Sequence, residues 1–345
     1  MKALNKPELH LADPQPNRPQ LKVMVQGGKP LHEFARRRKG TAPDKIFKYL
    51  TLAAAVSVVV VVLLIAFELT WHSRLAISKF GLRFFTGSTW DPVGGDFGAL
   101  PFIYGTLVSS LIALIIAVPL GIGVAIFINE MCPRPLRAPL SFTVELLAAI
   151  PSVIYGLWGI FVLVPFLRLH IDPFLKARLG WTGLFTGPIY GIGMLAAGVV
   201  LAIMVVPFIS SITREVMLTV PQNQREGVLA LGATQWEMIR IGILRNARVG
   251  IIGGIILGLG RALGETMAVT MVIGNRPEIA TSLLAPGSTM ASMIANEFTE
   301  ATGNLYLAAI IEIGLALFLL TLVVNGLARL LVWMTTRGSP SRVYG

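Results

Sequence analysis

The residues best placed to do chemistry are Arg261 and Glu265, the only charges in an apolar stretch from Val249 to Asn275. The stretch is long enough to cross a bilayer as a helix, and a spacing of four residues puts the two side chains on one helical face. A lone charge at mid-membrane costs roughly 2.5 to 3.5 kcal/mol on insertion scales, so both side chains should point inward and pair or face water. The pattern predicts either a polar contact on a transport path or a buried ion pair that only fixes helix register.

Other acidic residues in apolar stretches rank below this pair. Glu312 lies deep in the last stretch and is predicted to partner Arg261 or another buried donor. Glu68 and Glu145 lie near the ends of their stretches, can reach the membrane interface, and are predicted to be structural.

Close helix packing is predicted around Arg261. Two ladders of small residues at a spacing of four surround it and favour close approach of neighbouring helices. They are Gly250, Gly254 and Gly258, and Gly260 with Gly264.

A polar segment, residues 214–248, precedes the apolar stretch and predicts a helix-turn-helix. Pro221 suits the first turn of a helix, Gly232 suits its left-handed end, and Thr234 with Glu237 forms a capping box for the next helix. The turn should present an apolar docking surface of Leu229, Leu231, Trp236 and Ile239. Its flanks should be solvated charges, namely Arg225, Glu226, Glu237 and Arg240.

Composition identifies the class. Hydrophobic residues make up 54% of the 345 residues and charged residues 14%, whereas a soluble domain has about 25% charged residues. Apolar length predicts an all-α membrane protein with six spans, at residues 49–70, 102–128, 140–167, 188–212, 249–275 and 305–331. Pro119, Pro151 and Pro165 should kink or break spans.

Charge predicts the orientation. Of the 29 Lys and Arg residues, 21 fall on the side of the termini, seven fall on the other side, and Arg261 lies inside a span. This distribution places both termini in the cytoplasm. The loop from Trp71 to Leu100 then faces outside. Three parts are predicted: a basic and flexible cytoplasmic tail (residues 1–48), a six-helix transmembrane domain (49–335, which contains the polar segment 214–248, hereafter the coupling segment) and a C-terminal cytoplasmic tail (336–345).

Several chemistries are excluded by their motifs. The P-loop pattern is missing, since Lys29 is followed by Pro30, so the chain is not expected to hydrolyse ATP. The sequence contains no G-x-S-x-G and no H-E-x-x-H. With one cysteine and no Cys/His cluster, neither a metal site nor a cofactor site is expected in this chain.

A family resemblance covers the chain from about Trp90 to the end of the last span. The stretch REGVLALGATQWEMIRIGIL resembles the E-A-A-x-x-x-G coupling motif of membrane subunits of binding-protein-dependent ABC importers, with Glu226 and Gly232 in its diagnostic places. Gly227 and Val228 stand where alanines are usual, and Arg245 where proline is frequent. The strings FGALPFIYGTL, AIPSVIYGLWGIFVLVP and GLGRALGETMAVTMVIGN resemble the PstC family of phosphate permeases.

The resemblance implies a type I ABC importer permease (MetI-like) fold in the bacterial inner membrane. It implies four kinds of partner: the sister permease PstA, a dimer of the ATPase PstB that uses ATP and Mg, the phosphate-binding protein PstS, and lipid. Nucleic acid is not expected as a partner. The turn formed by Glu226, Leu229, Gly232, Ala233 and Trp236 would dock on the ATPase. Arg261 would offer bidentate hydrogen bonds to a passing phosphate, with Glu265 orienting the anion and preventing its permanent trapping.

Two other functions stay open. One is an importer subunit for another oxyanion, such as sulfate or molybdate, or the sister phosphate permease. The other is a channel or sensor scaffold that works without an ATPase.

Overall fold

A computed structural model describes residues 42–336. Its short strands, β1 (Trp90–Asp91) and β2 (Asp96–Phe97), form one antiparallel hairpin. The helices in chain order are α1 (Ala42–Phe80), α2 (Arg83–Thr86), α3 (Leu100–Met131), α4 (Arg134–Ala149), α5 (Ser152–Thr182), α6 (Met194–Leu218), α7 (Gln222–Ala230), α8 (Gln235–Leu263), α9 (Met267–Val272), α10 (Met290–Glu297) and α11 (Asn304–Thr336).

Six of the described helices are long and apolar enough to cross a membrane, which confirms the predicted number of spans. They are α1, α3, α5, α6, α8 and α11. Three of them depart from regular α-helix by wide π-type turns, at the end of α3, in the middle of α5 and at the start of α8. Such turns inside helices are frequent at functional sites.

The first predicted span was too short. Helix α1 begins at Ala42, so residues 42–48 of the predicted flexible tail are helical, while the rest of that tail lies outside the described residues. Contacts divide the described chain into two units, residues 42–62 and residues 63–336. The first unit is a single apolar stretch of α1, and the second contains all the sites discussed below.

The third predicted span, residues 140–167, was wrong. Helix α4 ends at Ala149, and α5 begins at Ser152 and runs to Thr182. The break occurs because Ile150 precedes Pro151 and is therefore driven to an extended conformation, with ψ of 130°. Pro119 and Pro165, in contrast, lie within helical segments.

The fourth predicted span was displaced. It was expected to begin at residue 188, whereas α6 begins at Met194, because Gly191 takes a left-handed φ of +80° that no helix continues. Helix α6 is the most buried of the six spanning helices and packs against α3, α4 and α8. The last residues of α6, 214–218, are also the first residues of the segment 214–248. The end of the spans at this segment is called the coupling side below.

The first glycine ladder brings α8 against α6, as predicted. A Cβ built at Gly254 or Gly258 would lie 2.9 or 3.0 Å from Ile212 or Ile209, and one at Gly250 would overlap Val216. The second ladder is different, because at Gly260 the nearest atom lies 3.9 Å away on Asn325 and at Gly264 only a carbonyl of the same helix is near. Only the first ladder therefore sets a helix separation.

Replacing Gly250 with Leu is expected to destabilise the folded chain by at least about 2 kcal/mol, because overpacking of a close contact costs about 1–3 kcal/mol. Gly253 is the matched control, since a Cβ there meets no atom within 4 Å. Thermal unfolding of the purified chain in detergent measures both variants. Equal losses of stability for Gly250→Leu and Gly253→Leu would contradict the close packing of α6 on α8.

The predicted loop from Trp71 to Leu100 begins later than expected, because α1 continues to Phe80, and its remainder is a packed cap. Phe84 and Phe97 are buried with Phe102 in one cluster. The indole N–H of Trp90 donates to Glu297 Oε2 at 2.7 Å, and the Tyr306 hydroxyl donates to the same oxygen at 2.6 Å. This carboxylate joins the hairpin to α10 and α11 at the end of the spans away from the coupling segment.

Candidate translocation and coupling sites

Arg261 lies in the last turn of α8, and Glu265 lies beyond the end of that helix. The predicted continuous span 249–275 was therefore wrong: α8 ends at Leu263, Gly264 caps it, and α9 begins at Met267. The carboxylate of Glu265 accepts a hydrogen bond from the backbone N–H of Ala268 at 3.3 Å. It thus satisfies one of the unpaired N–H groups at the start of α9.

The Arg261 guanidinium has no carboxylate partner in the described chain. Its Nε is buried and donates no hydrogen bond within residues 42–336. Its carbon Cζ lies 5.8 Å from the centre of the Phe208 ring on α6. Arg261 as a residue is half-buried, and within residues 42–336 its charge has no carboxylate counter-charge.

Glu312 does not supply the missing counter-charge in this structure. It is 1% exposed on α11, and its Oε2 has no hydrogen-bond partner within the described residues. Asn325 of the same helix lies beside Gly260. Glu312 is thirteen residues before Asn325, which places it about 20 Å farther along the helix axis from the level of Arg261.

Tyr155, on α5, lines a cavity of about 310 Å³ between α3, α4, α5 and α6. The wall is almost entirely apolar, with Ser210 as a second hydroxyl, and Tyr155 donates to the carbonyl of Leu147 at 2.8 Å. Pro207, inside α6, forms part of this wall. Pro207 precedes Phe208 in α6, and the signal that could have identified it is a proline inside an apolar span.

The helix-turn-helix has the local geometry that was predicted. Helix α7 starts after Pro221, and Gly232 has a φ of +83°. Thr234 accepts from the Glu237 backbone N–H, and the Glu237 side chain accepts from the Thr234 backbone N–H. The segment therefore presents a rigid turn.

The docking surface is smaller than predicted. Leu229, Leu231 and Trp236 are 44%, 89% and 60% exposed, whereas Ile239 is 2% exposed. Ile239 packs in a buried cluster with Met217 and Ile243. It faces inward because α8 begins with wide turns from Met238 to Leu244 that change which residues share a face.

The charged flank also differs from prediction at one residue. Glu226 is exposed and, in the chain from 42 to 336, forms no ion pair or hydrogen bond, and Ala233 is half-buried. Arg225 is not solvated: it forms an ion pair with Glu130 at the end of α3. Sequence reasoning missed Glu130, although an acidic residue closing an apolar span near a basic segment was a usable signal.

Comparison with known proteins assigns the family. Residues 117–333, which include every residue of both sites, match the family described as "Binding-protein-dependent transport system inner membrane component". The chain belongs to this permease family. It is 51% identical over 296 residues to the phosphate transport system permease protein PstC of Mesorhizobium japonicum, covering 85% of this chain and 90% of that protein.

A second relative and a solved structure also resemble the chain. The chain is 40% identical over 285 residues to the probable phosphate transport system permease protein PstC of Methanocaldococcus jannaschii, covering 81% of this chain and 90% of that protein. The crystal structure of a bacterial ABC transporter involved in the import of the acidic polysaccharide alginate aligns with a TM-score of 0.58, at 17% identity, over 85% of this chain and 98% of that chain. The predicted importer permease fold is confirmed, and the chain is a multi-pass membrane permease subunit.

Proposed function

We propose that this permease moves inorganic phosphate across the bacterial inner membrane, driven by ATP that a separate subunit hydrolyses. The observation that carries the proposal is the Arg261 guanidinium, which lies within a spanning helix and has no carboxylate partner among residues 42–336. The relatives named PstC, at 40 to 51% identity, support phosphate as the anion.

Arg261 acts as the donor to the passing anion. A guanidinium offers two parallel N–H groups that match two oxygens of phosphate, and Phe208 packs near the guanidinium on the α6 side. Glu265 follows Arg261 by four residues and supplies a negative group. Its carboxylate accepts a hydrogen bond from the Ala268 N–H at the start of α9. Its charge weakens the hold on the anion, because a conducted ion must also leave.

The alternative role for Arg261 and Glu265, a pair that only fixes helix register, is less well supported. To fix the register of one helix, both charged residues must lie on that helix. Helix α8, however, ends between Arg261 and Glu265. In the described chain neither residue forms an ion pair. The geometry favours two groups that act on a third species.

The exposed docking surface of the helix-turn-helix docks on the ATPase partner, a dimer of PstB that holds ATP and Mg. Glu226, Leu229 and Trp236 are exposed on it, while Gly232 and Ala233 shape the turn between the two helices. The remaining partners are the sister permease PstA, the binding protein PstS and membrane lipid. In this arrangement the coupling side and both termini are cytoplasmic, as the Lys and Arg distribution predicts.

ATP-dependent uptake into vesicles that contain the purified complex tests this function. Labelled phosphate is expected to accumulate only with ATP, with the ATP-binding chain co-purifying, and unlabelled sulfate or molybdate should compete weakly. Strong competition by either of those anions would identify another oxyanion as the substrate. Equal uptake without ATP or without an ATP-binding chain would instead indicate a channel.

A further inference from the structure

A half-buried ion pair joins the coupling segment to the second span. Arg225 Nη1, on α7, donates to Glu130 Oε1, in the wide turns that end α3, at 2.7 Å. The side chains are only 18% and 7% exposed. Because both charges are largely removed from water, each depends on the other for its counter-charge.

The same guanidinium reaches a third helix. Its Nη2 donates to the carbonyl oxygen of Met217 at 2.8 Å. Met217 lies in the last turn of α6, where carbonyls lack a partner four residues on within the helix and where a cation is favoured, and its oxygen also accepts the Val220 backbone N–H at 3.3 Å. Arg225 is thus bonded at once to the coupling-side ends of α3 and α6.

Arg225 and Glu226 are adjacent on α7 but face different surroundings. Glu226 is exposed, on the proposed ATPase surface, whereas Arg225 points into the body of the permease. Successive residues of a helix are about 100° apart, so this separation follows from 3.6 residues per turn. A force applied at Glu226 therefore reaches the spans through Arg225, the preceding residue in the chain.

The path continues to the anion site along α6. From Met217, the helix runs without interruption back to Phe208, whose ring lies beside the Arg261 guanidinium. Helix α3 packs directly on α6: a Cβ built at Gly121 of α3 would lie 3.0 Å from Ile209 of α6, and one at Gly198 of α6 would overlap Ile112 of α3. A displacement of Arg225 is therefore passed to the neighbours of Arg261 by rigid, packed elements.

We infer that the Arg225–Glu130 pair is a positioning contact that transmits movement of the coupling segment to α3 and α6. The inference rests on the proposed function, because only a permease driven by a partner has such a movement to transmit. Neither residue touches the transported anion. Their loss should thus change the coupling of transport to ATP hydrolysis rather than anion recognition.

A double-mutant cycle tests the pair in the reconstituted complex. Glu130→Gln, Arg225→Gln and the double variant are compared by phosphate uptake per ATP hydrolysed, with co-purification of the ATP-binding chain as the readout of assembly. Each single variant is expected to lower uptake per ATP about tenfold, within the range found for residues that couple distant sites. The double variant should be no worse than either single one, because the effect belongs to the pair.

Glu145→Gln is the matched control. It removes the Glu145–Arg214 ion pair, in which the carboxylate side chain is 53% exposed. The Arg214 side chain is 19% exposed, but a pair whose carboxylate remains in water contributes little, so uptake per ATP should stay within about twofold of wild type.

The outcomes separate the two proposals. A wild-type complex that accumulates no phosphate with ATP overturns the proposed function. If the wild-type complex is active, then normal uptake per ATP in Glu130→Gln overturns the positioning role alone. The same conclusion follows if the two single effects multiply in the double variant, or if the single variants lose the ATP-binding chain.

Discussion

Phosphate uptake should fall at least about 100-fold when Arg261 is replaced with Gln, while the chain remains folded and assembled. A hydrogen bond to a charged group contributes about 1.5–3 kcal/mol, and the guanidinium offers two of them. Losing about 3 kcal/mol corresponds to roughly a 100-fold change. No carboxylate among residues 42–336 forms an ion pair with Arg261. The substitution therefore leaves no carboxylate without its partner, and assembly should survive.

Two further variants sharpen the Arg261 test. Arg261→Lys keeps the charge but loses the planar fork, so its uptake should lie between those of wild type and Arg261→Gln. Arg276→Gln removes an exposed Arg from the loop after α9 and should leave uptake unchanged. Uptake rates in vesicles and thermal unfolding in detergent are measured for each. Unfolded or unassembled Arg261→Gln protein would show that Arg261 is structural.

Local rules predicted the coupling turn well. Gly232, Thr234 and Glu237 each act on backbone groups within a few residues, and such interactions depend only on neighbours in the sequence. The break at Pro151 was also predicted from its local effect on the preceding residue, whereas the predicted span 140–167, which rests on apolar length, runs across that break and was wrong. Spans counted by length were correct in number because hydrophobicity is an average over many residues.

Long-range contacts were predicted less well. The burial of Ile239 depends on wide turns at the start of α8, which no repeat of 3.6 residues reveals. The partner of Arg225 is 95 residues earlier in the chain, and a charge pattern does not identify such a contact. Glu265 was placed on the Arg261 helix because spacing was read as a continuous helix, whereas Gly264 ends it.

Glycine spacing gave a mixed result with a physical explanation. Both ladders have the same period, yet only Gly250 and its two partners face another helix closely. A ladder shows where close approach is permitted. Whether a neighbour occupies that face is decided by the packing of the whole bundle, here by α6.

Charge reversal at Glu226 is the second change with a large expected effect. Glu226→Lys should weaken association with the ATP-binding chain at least about 30-fold, since disrupting a docked charge contact costs about 2 kcal/mol or more. The fold should be unaffected, because Glu226 is exposed and the structure from 42 to 336 gives it no bonded partner. The capping box belongs to Thr234 and Glu237, so the change removes no helix cap.

Co-purification of the ATP-binding chain and phosphate uptake measure the Glu226 effect together. Uptake should fall in proportion to the ATPase that is lost, because a permease without its ATPase has no source of movement. Glu278→Lys makes the same charge change at an exposed residue after α9, away from the coupling segment, and should leave ATPase association normal. Normal association and uptake in Glu226→Lys would mean that Glu226 is a surface charge and that docking rests on the apolar residues Leu229, Leu231 and Trp236 alone.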